Sequence, residues 1–300
     1  MFQPPRAMSA KTRVGAQTAL PFWLRRFLRQ PAGILGFVGV AAVIIVSVLA
    51  PVLAPHDPSQ QFFDGLTLEG DPLPPGGEFV LGTDLLGRDL LSRLIFGARV
   101  SLLVGLVANG AAVLIGAIVG VLAGFLRGRT ETVLMRLTDV MTAFPALILA
   151  IALAAILGPS LWIVAMVIAL VNWVWVARAV HAQVLSLARR EFVEAASALG
   201  AKPFRTLWRH IVPHLVSTLM VFGTLGISTT VLLEASLSFL GVGVQPPMPS
   251  WGGIINESQS YFLTAPWLVF IPGAAILLTS LSFNLLGESL RDALDLAERR

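Results

Sequence analysis

Three hundred residues with 56% hydrophobic and only 13% charged side chains depart from a soluble domain, in which about a quarter of residues are charged, and place the chain in lipid. The net charge of +4 does not mark a nucleic-acid surface, because the basic residues are scattered between apolar runs instead of gathered on a polar face. The chain has no cysteine, so disulfides, thiolate nucleophiles and cysteine-held metals are excluded, and neither Lys11 nor Lys202 follows a glycine, which excludes a Walker-type phosphate loop.

A bilayer core about 30 Å thick is crossed by about 20 apolar helical residues. Six runs of that kind predict six transmembrane helices, over 33–53, 100–125, 134–157, 161–177, 215–237 and 266–286. Before the first, segment 18–30 sets Phe22, Trp23, Phe27 and Leu28 among Arg25, Arg26 and Arg29, which fits either a short helix in the cytoplasmic interface or a basic juxtamembrane tail. The first run is too long for a signal peptide and is followed by Pro51 and Pro55, so it reads as a retained anchor. The loop 56–80 is rich in proline, glycine and acids and predicts turns. Residues 84–99 then read as a helix along the outer membrane surface, with Leu86, Leu90 and Leu94 on one side. In the second run, Gly116, Gly120 and Gly124 form a small-residue stripe on which another helix can pack closely.

Basic residues stay cytoplasmic more reliably than acids do. Of the 21 here, 18 lie before the first span, between spans two and three, between four and five, or in the tail. The opposite segments hold only Arg88, Arg93 and Arg99, so both termini are expected in the cytoplasm.

The stretch 189–214, RREFVEAASALGAKPFRTLWRHIVPH, is too polar to span and too patterned to be a linker. Residues 191–199 favour helix, Gly200 suits a left-handed stop, and Pro203 suits the start of a second helix constrained by Pro213. This predicts a cytoplasmic helix-turn-helix for docking a partner. Glu194, Ala195, Ala196, Gly200 and Pro213 resemble the "EAA" coupling loop of the permease subunits of ABC importers. Three further stretches, 81–105 (LGTDLLGRDLLSRLIFGARVSLLVG), 137–148 (LTDVMTAFPALI) and 234–252 (EASLSFLGVGVQPPMPSWG), with the tail 284–295, resemble the C-type permease subunit of dipeptide and oligopeptide importers. The pattern departs at His214, where the family usually has asparagine, at Glu288-Ser289 in place of Asp-Gly, and in a long loop 65–78.

The resemblance implies an all-α polytopic membrane protein of the bacterial inner membrane with the type I ABC importer permease fold. It implies a non-catalytic subunit, without a cofactor of its own, that forms half of a translocation path for di- or oligopeptides or related small solutes. The implied partners are a second homologous permease, two cytosolic ATPase subunits that bind ATP and magnesium, and an extracytoplasmic substrate-binding protein. The chain would divide into a cytoplasmic tail and interfacial helix (1–32), a first anchor (33–54), an extracytoplasmic loop and surface helix (55–99), a permease core (100–290) and a cytoplasmic tail (291–300).

Glu194, Ala195, Ala196, Gly200, Arg209, His210 and Pro213 are the candidate coupling residues. Asp84, Arg88, Asp89 and Arg93 are candidates for contact with the extracytoplasmic partner. Within the membrane, a charged carboxylate at Asp139 costs about 2.5–3.5 kcal/mol and needs a partner or water; its place just beyond Arg136 favours a structural ion pair over a path residue. Glu234 fits either an outer gate or a capping or inter-helix hydrogen bond. Asn109, Asn172 and Asn284 fit either a polar path or bonds between helices. His210 and His214 have the four-residue spacing of metal ligands, but Pro213 interrupts their helix and no carboxylate completes a site. Trp162, Trp173, Trp175, Trp251 and Trp267 fall near span ends, as interfacial anchors do. The competing class is a stand-alone ion-coupled secondary transporter using Asp139 and Glu234, against which no internal repeat is visible.

Overall fold

The computed structural model describes residues 22–158 and 160–295; the outer parts of both expected tails, 1–21 and 296–300, lie outside the described residues. Among the described residues the regular structure is helical, with isolated bridges in the loop between α3 (Ala50–Leu53) and α4 (Leu90–Leu126). The segment 18–30 is helical over α1 (Phe22–Phe27), and α2 (Pro31–Val48) follows with proline at its first turn, where the missing N–H costs nothing. The first run is interrupted near its end: the chain turns at Leu49 into a four-residue helix, α3 (Ala50–Leu53), where Pro51 lacks the N–H that would continue the ladder.

Two boundaries differ from the sequence reading. There is no separate surface helix over 84–99, because α4 (Leu90–Leu126) is one helix of 37 residues, about 55 Å long, that begins outside the expected second span and runs through it. Residues before Leu90 are held in tight turns with Gly82 at φ +81° and Gly87 at φ +69°, so the leucine spacing there is not helical. The third run is also not a straight span. It divides into α5 (Gly128–Thr142) and α6 (Ala146–Leu157), bent by 87° at Ala143–Pro145, where proline forces the preceding residue out of the helix.

The remaining helices are α7 (Leu161–Leu187), α8 (Glu191–Ala198), α9 (Pro203–Thr206), α10 (Val212–Phe239), α11 (Trp251–Glu257) and α12 (Trp267–Asp295). Among the described residues five helical segments are long and apolar enough to cross a membrane, and the bent α5/α6 pair makes a sixth if it is taken as one span.

The glycine stripe acquires a partner, α7. A Cβ at Gly116 would stand 2.6 Å from the Trp173 carbonyl oxygen, at Gly120 2.5 Å from that of Ala177, and at Gly124 2.8 Å from the Val184 side chain. Where lipid tails are as apolar as leucine, such backbone-to-backbone approach is what holds two helices together. Around this pair, Val104, Ala108, Val164, Ile168 and Leu237 pack α4, α7 and α10 into one core, while α12 seats against α2, where a Cβ at Gly36 would lie 2.5 Å from the Leu286 nitrogen.

Gly120→Leu should therefore force α4 and α7 apart at a cost of about 1–3 kcal/mol or more. Gly110→Leu, on the same helix with open space around its Cβ, should leave stability nearly unchanged. Thermal unfolding of the detergent-purified subunit should show a lowered midpoint for the first substitution and a wild-type midpoint for the second.

Candidate functional site

Three structured regions contain the candidate residues. The first is the polar stretch after α7. Gly200 has φ +83°, a left-handed conformation that glycine adopts without strain, and Pro203 opens α9 at its first helical position. The second half of the expected helix-turn-helix is not an independent helix. It continues from α9 through a π turn (Leu207–Ile211) into α10. Pro213 accounts for the π turn, since it cannot donate to the Arg209 carbonyl and its ring crowds that turn. Val193, Leu207, Ile211 and Leu215 bury their side chains with Leu187 and so seat the hairpin on α7. The Phe192 ring stacks on His214 at 5.4 Å and lies 6.4 Å from His210, so the residue that departs from the family pattern joins the two arms of the hairpin.

The outer surface of this hairpin carries Glu194, Ala195, Arg209 and Pro213, with Ala196 half-buried. It also exposes large apolar residues, above all Leu199 at 90%, Phe204 at 72% and Trp208 at 57%. These were missed in the sequence. Phe204 and Trp208, four apart with rings 6.0 Å from each other, carry a helical-face signal that a reading for polar contacts passes over. The His214 ring donates from Nδ1 to the His210 carbonyl, and among the described residues no group of three or more His, Cys, Asp or Glu could hold a metal ion.

The second region is the bent span. Asp139 does not pair with Arg136. Its partner is Arg178 of α7 at 2.8 Å, and the same guanidinium donates to Thr142 at 2.8 Å, next to the break. Nearby, His181 and Glu131 meet at 2.9 Å, a second polar link between α5 and α7. Arg178 is 39 residues from Asp139, and only the tertiary fold brings it near.

The third region lies at the start of α4 and against α11. Asp84, Arg88, Asp89 and Arg93, expected to meet a partner, are turned inward and all but buried, a correction with a clear cause. Asp84 accepts from the Leu86 and Arg88 backbone amides and binds both Arg88 and Arg93; Arg88 reaches Glu257 at 2.7 Å and Arg93 reaches it at 3.0 Å. Asp89 caps α4 by accepting from the Ser92 amide at 2.9 Å. Their charges are consumed within the fold, and Glu257, 169 residues beyond Arg88, completes the set. Burial pushes the Asp84 and Glu257 carboxyls above their ordinary range, and the Arg93 charge pulls each part of the way back.

Glu234 of α10 is fully buried, and its two oxygens accept from Ser101 of α4 and Ser238, each at 2.8 Å. Of its two sequence readings, the inter-helix hydrogen bond is the one present. Trp251, expected as an interfacial anchor, is instead buried and donates its indole N–H to the Leu94 carbonyl at 3.0 Å; Trp173 is buried as well.

A cavity of about 280 Å³ lies between α4, α7 and α10, lined by Asn109, Asn172, Thr229, Trp175, Phe222 and Leu225 among others. Asn109 donates to the Phe222 and Gly223 carbonyls at 3.3 and 2.8 Å, and Asn172 lies 3.4 Å from Thr230. Two of the three candidate asparagines thus share one site. Asn284, half-buried on α12, is not among its lining residues.

Residues 116–300 match the family described as binding-protein-dependent transport system inner membrane component, and residues 22–75 match the N-terminal TM domain of oligopeptide transport permease C. The chain is 42% identical over 275 residues to the di/tripeptide transport system permease protein DppC of Pseudomonas aeruginosa, covering 91% of this chain and 90% of that protein. It is 41% identical to the glutathione transport system permease protein GsiD of Pectobacterium atrosepticum, over 91% and 89%. It is 34% identical to the oligopeptide transport system permease protein OppC of Bacillus subtilis, over 98% and 96%. In fold it is similar to a chain of the inward-facing MetNI methionine ABC transporter, with a TM-score of 0.56 at 18% identity over 68% of this chain and 97% of that one. The chain belongs to the binding-protein-dependent transport system inner membrane component family. It is a multi-pass, non-catalytic ABC importer permease subunit with the type I fold, and a stand-alone secondary transporter is set aside.

Removing one member of the buried charge network strands its partners. Arg93→Met should lower stability by about 3–5 kcal/mol, the cost of an uncompensated buried charge. The stranded carboxyls are easier to protonate in the folded state than in the unfolded one, so folding takes up protons, and the deficit should shrink as pH falls through their raised range. Thermal unfolding of Arg93→Met and wild type across a pH series measures both effects.

Proposed function

We propose that this chain forms half of the translocation path of an ATP-driven importer of di- or oligopeptides or related small solutes. It pairs with a second, homologous permease and is served by two cytosolic ATPase subunits, which bind ATP and magnesium, and by an extracytoplasmic substrate-binding protein. The names of the relatives support the cargo class, since they transport di/tripeptides, oligopeptides and glutathione. Both termini are cytoplasmic in this reading, which the 18-to-3 division of basic residues supports.

One observation carries the coupling role: the hairpin after α7 exposes Glu194, Leu199, Phe204 and Trp208, while its inner side is packed on α7. Exposed aromatic and aliphatic side chains together with a carboxylate have the chemistry of a protein interface. The hairpin's second arm is continuous with α10, whose middle lines the cavity. Closure of the ATPases would thus move α10 as a rigid body and open the path to one side at a time.

Two experiments test this. Glu194→Ala should cost about 2–5 kcal/mol of association if its carboxylate is desolvated against the partner, and should strip ATPase subunits from the purified complex, whereas exposed Glu191→Ala should do much less. Equal, mild effects would reduce Glu194 to a surface charge. For orientation, Ser59→Cys and Ser260→Cys, both at exposed positions, should react with an impermeant thiol reagent in whole cells, and exposed Ser186→Cys should not. Labelling of the last from outside would invert the topology.

A further inference from the structure

The cavity between α4, α7 and α10 offers a defined chemistry. The polar side-chain groups of its lining residues are the Asn109 and Asn172 amides, the Thr229 hydroxyl and the Trp175 indole N–H, its walls include the Trp175 and Phe222 rings, and none of its lining residues is ionisable. The charges of the neighbouring helices are withdrawn from it: Glu234 is sealed among hydroxyls, and Asp139 is paired with Arg178. Arg291 lines an adjoining cavity that shares Phe222 and Leu225 with this one.

Asn109 is largely committed. Its amide nitrogen is held by two carbonyls of α10, and its Oδ1 presses on Gly226, where a Cβ would stand only 2.0 Å away. Asn172 is not. Its contact with Thr230 is long at 3.4 Å, and its carbonyl oxygen receives no hydrogen bond among the described residues. Thr229 uses its proton on the Gly226 carbonyl at 2.9 Å and keeps its lone pairs.

We infer that this cavity recognises the peptide unit of the cargo and does not discriminate by the sign of side-chain charge. Primary amides both donate and accept, matching the N–H and C=O of a peptide bond, and aromatic walls cover apolar side chains of any shape. A fixed charge in a low-dielectric site would favour one sign and penalise the other. With amides and a hydroxyl in its place, the selection of cargo charge falls to other components of the importer. Asn172 and Thr229 are the positions at which this chain could acquire such selectivity. The inference rests on the peptide-importer reading above.

The test uses the complete importer in proteoliposomes, with ATP-driven uptake of dialanine, alanyl-lysine and alanyl-glutamate. Each variant's lysine-to-glutamate uptake ratio is divided by the wild-type ratio, which removes the preference of the binding protein and any loss of active complex. Asn172→Asp and Thr229→Asp should each raise that ratio roughly tenfold, the equivalent of about 1.4 kcal/mol, and Thr229→Lys should lower it. Dialanine uptake retained with an unchanged ratio in both Asp variants overturns the inference. Loss of uptake of all three peptides by both Asp variants, with the complex intact by co-purification, overturns it as well, because the residues then hold the fold and do not meet cargo. A wild-type importer that moves none of the three peptides sinks the peptide reading itself.

Discussion

The backbone contact between α4 and α7 is the constraint on which the rest of the architecture depends. In lipid there is little hydrophobic gain from pairing helices, so their association relies on van der Waals contact at short range. Gly116, Gly120 and Gly124 leave the carbonyls of Trp173 and Ala177 no room for even a methyl group between the helices. With that spine set, α7 presents Asn172 and Trp175 to the cavity, Arg178 and His181 to α5, and Leu187 to the hairpin. One interface thus positions the cavity, the bent span and the hairpin.

Polar burial specifies the start of α4 in a different way. Asp84, Arg88, Arg93 and Glu257 form a closed set of opposite charges, and Glu234 is satisfied by hydroxyls from two helices. Such groups add little net stability compared with apolar packing, but each is costly to strand, so alternative arrangements of the loop over α4 and α11 are penalised. Thr83 ties the same loop down, donating to the Gly65 carbonyl and accepting from the Leu73 amide at 2.9 Å.

The helical segment Pro203–Phe239 runs without a break from the hairpin to the cavity. It begins at the exposed aromatic cluster, passes a π turn, lines the cavity at Phe222, Leu225 and Thr229, and ends beyond the Glu234 hydrogen bonds. In the proposed reading, a displacement at the hairpin reaches the path without crossing a flexible joint. The π turn at Leu207–Ile211 is the one irregularity on that route, and Pro213 is its cause.

The sequence by itself determined the elements governed by local chemistry. Apolar length marked the spans, the spacing of glycines marked a helix contact, and Gly200 and Pro203 marked the turn of the hairpin, because φ preference, hydrogen-bond capacity and transfer free energy belong to single residues and their neighbours. It also suggested a surface helix over 84–99 from leucine spacing, where positive-φ glycines and buried charges hold the residues before Leu90 in turns and the rest is the start of α4. Only the tertiary structure decided which polar groups meet. Arg178 with Asp139, Glu257 with Arg88 and Arg93, and Asn109 beside Asn172 are separated by tens to more than a hundred residues. A charge in a membrane protein must find a partner, but the sequence does not say which, since that partner is chosen by the helix packing that brings the two within a few ångströms.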